Sequence, residues 1–297
     1  LDTILSLSLK QTYVRSKIVA NPKDIKMEID KKKCVGCGNC HAVCTMGVIY
    51  LDEDGKSVVN QDECVECYTC YRVLRNEGYI PWFVRAIRKI LSLFRLGYLA
   101  EVDVCPTGAL TPPELKWPRS IRAQFSDPTT THPGTGIRGR GTEEIKTNDV
   151  TGRLRRGEAG LVVEIGRPGT GAFFRDIEKV AVALAKLKPH FESKNPITQL
   201  MVSPETGKLR DDILNEKALS AIIEMKIELE RIPEFLHALE QIQREIDTVT
   251  SVGMASKCQP DGTIPHEEWV RKAGYILSPN GKTNIGLGRP LFKEKES

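Results

Sequence analysis

The chain has 297 residues, 40% of them hydrophobic, and a net charge of +4. That length accommodates two domains with real cores, and so small a charge excludes a general polyanion binder, so no nucleic-acid partner is expected. No apolar run nears the ~20 residues that cross a bilayer.

Residues 1–25 read as an N-terminal arm. They show no charged-then-apolar leader, so a reducing cytoplasm is the expected location, and nine cysteines there favour metal sites over disulfides. A short strand in "IKMEID" precedes the first run, "CVGCGNCHAVC", with Cys34, Cys37, Cys40 and Cys44 spaced x2, x2, x3. "GVIYLDEDGKSVVN" then reads as two strands about a "DEDG" turn. The second run supplies Cys64, Cys67 and Cys70, but its fourth cysteine, Cys105 in "CPTGAL", stands beyond a long insertion. The spacing resembles an iron–sulfur ligand run, which implies two-residue gaps that wrap the backbone around a cubane so that three thiolates reach three irons. The same resemblance implies a fourth ligand from elsewhere, whose distance in sequence is then free. Zinc, the competing occupant, prefers paired CxxC knuckles.

This doubled run, over residues 26–112, resembles the bacterial ferredoxin with two [4Fe–4S] clusters. The resemblance implies crossed ligation. One cluster would take Cys34, Cys37, Cys40 and Cys105, the other Cys64, Cys67, Cys70 and Cys44. Thr45 departs from the proline usual after the first run. With eight cysteines consumed, no iron is open to substrate, and the expected chemistry is electron transfer. The ninth, Cys258, stands alone.

The insertion, residues 72–104, contains "PWFVRAIRKILSLFRLG". Phe83, Ile87, Ile90 and Phe94 recur at helical spacing, with Pro81 suited to the start and Gly97 to the end. Arg85, Arg88, Lys89 and Arg95 lie on the other side. Such a helix, with Trp82 at its head, is expected to dock on a redox partner or a larger oxidoreductase complex. Packing on the chain's own second domain and contact with an anionic membrane surface are the alternatives.

Residues 113–158 are rich in Gly, Thr, Arg and Pro and read as a linker with an ordered loop. Arg138 and Arg140 in "GTGIRGRGT" are candidates for contact with an anion, a flavin or a neighbouring subunit. No nucleotide-binding pattern supports the flavin.

From residue 159 to 258 the periodicity predicts β-α-β-β-α-β: "GLVVEIG", "AFFRDIEKVAVALAKLK", "ITQLMV", "AIIEMKIEL", "RIPEFLHALEQIQREID" and "TVTSVGMAS". The expected fold class is therefore α+β. It joins an N-terminal two-cluster ferredoxin domain with a helical insertion to a C-terminal βαββαβ, ferredoxin-like (ACT-like) domain. Residues 259–297 read as a tail. One sheet face left to cover makes a homo- or hetero-oligomer expected. In the turn "EIGRPGTGAFFRD", Gly166, Gly169 and Gly171 with Arg167 form a second candidate anion cradle, against the plainer reading of a tight turn. Five histidines are scattered, and no nucleophile–base pair can be assigned.

"THPGTGIRGRGTEEIKTNDVTGR" with "VEIGRPGTGAFFRDIEKV" is similar to 6-hydroxynicotinate reductase-type iron–sulfur proteins of anaerobes. That resemblance implies low-potential electrons delivered to a heteroaromatic ring. Three functions are thus in view. The chain is expected to be an electron-transfer protein or subunit of an anaerobic reductase system. The alternatives are a self-contained reductase of an anionic small molecule and a redox-linked metabolite sensor.

Overall fold

The computed structural model describes residues 26–72, 104–111, 114–139 and 148–278, with Ile145 and a few positions between 83 and 94. Among these residues no helix is long and apolar enough to cross a membrane.

Two buried clusters organise the chain. In the smaller one, Met27, Cys40, Ile49, Cys70 and Leu110 are packed together. The hairpin forms where the sequence suggests: Ile49–Leu51 pairs antiparallel with Ser57–Val59. The Asp52 carboxylate closes its turn, accepting from the amides of Asp54 at 3.1 Å and Lys56 at 2.9 Å. Glu28–Ile29 pairs with Leu110–Thr111. This two-residue ladder returns the chain, after the insertion, to the side of the first cysteine run.

The larger core lies under a four-stranded antiparallel sheet. Its strands are Glu158–Ile165, His190–Phe191, Ala221–Glu228 and Thr250–Ser256. The last strand in sequence pairs with the first, the first with the third, and the third with the second. Leu161, Val163 and Ile165 alternate inward with Ile223, Met225 and Ile227. They meet the apolar stripes of two helices, Phe174–Ala185 through Ile177, Val180, Ala181 and Leu184, and Ile232–Ile242 through Phe235, Leu236 and Leu239. Each of these Val, Leu, Ile, Phe and Met side chains contributes on the order of 1.5–3 kcal/mol by leaving water.

One expected strand is replaced. "ITQLMV" divides into a helix, Pro196–Leu200, and a short strand, Met201–Ser203, which pairs with Lys208–Leu209 outside the main sheet. The cause is local: Asn195 caps the helix, accepting from the Ile197 amide at 2.9 Å, and Pro196 occupies the first turn. The sheet takes His190–Phe191 instead. The first long helix is also shorter than its apolar pattern, because Ala172–Phe173 pairs with Lys217–Ala218 before the helix begins.

Two stretches outside the regular pattern join the larger core. Helix Ser120–Ser126, in the expected linker, buries Ile121 and Phe125 there. Helix Pro265–Lys272, in the expected tail, adds Val270.

Candidate functional site: two cysteine hollows

The two cysteine loops, C-V-G-C-G-N-C from residue 34 and C-V-E-C-Y-T-C from residue 64, follow one backbone path. The left-handed region is visited at Gly36 and Gly38 in the first and at Glu66 and Tyr68 in the second. Glycine adopts this conformation freely, whereas a side chain costs about 1–2 kcal/mol there. Gly36 has a second constraint: a Cβ would stand 2.2 Å from the Gly55 carbonyl oxygen of the hairpin turn.

Each loop opens onto a hollow. The first has Cys34, Cys37, Cys40 and Cys105 in its wall together with Ile29 and Val104. The second has Cys44, Cys64, Cys67 and Cys70 with Met27, Ile49 and Val59. Each hollow thus brings together three cysteines of one run and one of the other. Among the described residues, no group of three or more His, Cys, Asp or Glu is arranged to hold a single ion.

Amides and hydroxyls are turned toward these sulfurs. Ser57 N–H donates to Cys34 Sγ at 3.3 Å, Ala109 N–H to Cys105 Sγ at 3.1 Å, and Val48 N–H to Cys44 Sγ at 3.4 Å. The Thr69 hydroxyl donates to Cys67 Sγ at 3.3 Å. Burial opposes charge at Cys34, but the Ser57 and Gly36 amides outweigh it and hold the pKa below the ordinary thiol value. At Cys105, burial is likewise outweighed by the Thr107 hydroxyl and the Ala109 amide. Burial dominates at Cys40, whose thiol it raises, and at two cysteines of the second hollow: it pushes Cys64 up to about 12, with the Glu66 charge adding, and raises Cys70 as well. At these three positions a bound cation would compensate the thiolate. Apolar walls, eight thiols in two fours, and N–H···S contacts fit iron–sulfur cubanes.

The second hollow is also where the larger core meets the cysteine segment. Glu66, 1% exposed, accepts from Arg119 Nε at 2.8 Å and from the Met27 amide at 3.4 Å. Arg122 Nη1 donates to the carbonyls of Gln61, Asp62 and Cys64 at 3.2, 2.8 and 2.7 Å, while its Nε pairs with Glu216. Lys217 pairs with Glu63. The arginines were legible in sequence only as local charge. Their role could have been sought by aligning the two loops, where Glu66 and Tyr68 stand in place of glycines.

The other candidates are placed as follows. A Cβ on Gly169 would lie 3.6 Å from the Thr45 carbonyl oxygen, and one on Gly171 would lie 2.8 Å from Met46 Cε. The glycine turn therefore packs against the residues that follow Cys44. The Gly166 amide donates to the Val249 carbonyl at 2.9 Å. Arg167 is exposed and pairs with Glu164 at 3.1 Å. Arg138 is exposed, its Nε 3.4 Å from Thr131 Oγ1. Arg140 and Trp82 lie outside the described residues. Phe83, Ile90 and Phe94 are exposed, and Ile87 is half-buried. Cys258 is exposed.

Comparison with known proteins matches residues 26–73 to the family described as 4Fe-4S dicluster domain. The B subunit of polysulfide reductase from Wolinella succinogenes is 35% identical over 98 residues, 30% of this chain and 51% of that protein. A ferredoxin of Pyrobaculum islandicum is 35% identical over 48 residues, 16% of this chain and 45% of that protein. The chain thus spans about half the length of the curated relatives it matches. No solved structure matches it. Residues 26–73 are a ferredoxin-type 4Fe-4S dicluster domain, carried on a chain that continues into a second, mixed helix-and-strand core.

Proposed function

We propose that the chain relays single electrons through two [4Fe–4S] clusters to a redox partner within an anaerobic reductase system. Cys34, Cys37, Cys40 and Cys105 would hold one cluster, and Cys44, Cys64, Cys67 and Cys70 the other. The observation that carries this is the division of the eight cysteines into two hollows, each completed by a cysteine from the other run. Bound there, the clusters supply reversible one-electron chemistry. The chain's own residues hold them, exclude water with apolar walls, and direct N–H groups at sulfur to moderate its charge.

The first hollow is the port to the outside. Cys37 is exposed and Val35 is 62% exposed. The insertion rejoins the domain at Val104 and Cys105, in that hollow's wall. The exposed Phe83, Ile90, Leu93 and Phe94 on the insertion suit docking of a partner subunit. The similarity to a subunit of a reductase supports a place in such a complex.

The test is an iron and sulfide count, with EPR after dithionite reduction, on protein purified anaerobically. Two four-iron centres per chain, giving interacting signals, are expected. Bound zinc, or a single paramagnetic centre, would sink the proposal.

A further inference from the structure

We propose that Arg122 is the positioning residue through which the larger core sets the geometry and potential of the centre on Cys44, Cys64, Cys67 and Cys70. This rests on the two-cluster reading above and adds a role for a residue outside both cysteine runs.

Arg122 is 5% exposed and belongs to the helix whose Ile121 and Phe125 are buried in the larger core. Its guanidinium leaves that core and enters the cysteine segment. There a single nitrogen, Nη1, gathers the carbonyls of Gln61, Asp62 and Cys64. These residues lead into and include the first cysteine of the second run, so the contact fixes the path from which Cys64 projects. The opposite edge of the guanidinium pairs with Glu216, which precedes the short strand Lys217–Ala218. One turn earlier, Arg119 holds Glu66 and Gln61. The strained left-handed backbone at Glu66 is therefore kept by a side chain that the second core grips.

Two electrostatic consequences follow. A buried positive charge beside an iron–sulfur centre favours the state with one more electron and raises the potential. The three carbonyl oxygens are also drawn toward the guanidinium rather than left free to turn toward the sulfurs. The Cys34–Cys40 loop has a different support: Gly36 packs against the Gly55 turn of its own hairpin. Arg122 should therefore act on one centre and leave the other unmoved.

The experiment is an EPR-monitored redox titration of the full chain, prepared anaerobically as wild type, Arg122→Met and Glu216→Gln. Each variant is also made in a Cys105→Ser background to assign the signals. Arg122→Met should lower, and Glu216→Gln should raise, the midpoint of the centre that survives in Cys105→Ser, with the second midpoint unchanged. Shifts of one sign in both variants, equal shifts in both centres, or no shift overturn the proposal, since a merely structural residue does not give opposite signs. If Arg122→Met fails to assemble, Arg122→Lys keeps the charge and reaches fewer carbonyls. A smaller downward shift is expected from it, and an unmoved midpoint overturns the proposal. A wild type with fewer than two four-iron centres would fail the underlying two-cluster reading instead.

Discussion

The loops Cys34–Cys40 and Cys64–Cys70 share a backbone path and differ in what holds it. In the first loop the two left-handed positions are glycines, which need no support. In the second they are Glu66 and Tyr68, each carrying the conformational cost of a side chain, together about 2–4 kcal/mol at the usual cost per residue. What offsets it is contact. Glu66 is buried and ion-paired with Arg119, and Tyr68 lines the second hollow. The first loop is supported by the hairpin that follows it, through Gly55, Lys56 and Ser57, whereas the second is strained and held by the larger core's helix. Of the two loops, the one without glycines at its left-handed positions is the one that the larger core's helix grips.

The difference can be broken at three places. The largest effect belongs to Cys105→Ser, which should remove half of the iron by emptying the first hollow alone. Loss confined to the second centre, seen by iron count and EPR, would contradict the crossed arrangement. Next is Arg119→Met, which leaves the Glu66 carboxylate buried without its partner. Loss of one member of a buried pair costs roughly 3–5 kcal/mol, measurable by denaturant unfolding. A variant as stable as its parent would show that the second loop needs no grip from the larger core. The smallest is Gly36→Ala. Left-handed strain costs of order 1–3 kcal/mol, and the 2.2 Å approach to Gly55 adds a backbone shift. The same measurement should place it between wild type and Arg119→Met. An unchanged midpoint would mean that glycine is not what frees the first loop.

Much of this was legible in the sequence, for identifiable reasons. The cysteine spacing is dictated by the geometry of a cubane, and the two helix stripes by a period that burial enforces, as at Ile177, Val180 and Leu184. "ITQLMV" was not legible as a helix followed by a short strand, because a short apolar run carries no period of its own. The Asn195–Pro196 start signal was present and outweighed by that run. Ile121 and Phe125 are two apolar positions in a polar stretch, too few to reveal a core helix. The arginine contacts are tertiary: a charge in sequence does not say which carbonyl it will meet. For the glycine turn the pattern offered an anion cradle against a plain tight turn; Gly169 and Gly171 both sit at positive φ, and Gly171 alone of the two approaches its neighbour Met46 closely.

The nesting of the two hollows has a consequence for how the protein is made. On the proposed pairing, the second centre is complete once Cys70 has left the ribosome, since Cys44, Cys64 and Cys67 precede it. The first centre waits for Cys105, beyond the whole insertion. Synthesis from the N-terminus therefore imposes an order of maturation: the second site can be filled early, while the first keeps three thiols, Cys34, Cys37 and Cys40, without their fourth partner in the interval. The Cys105→Ser chain is a permanent version of that passing state.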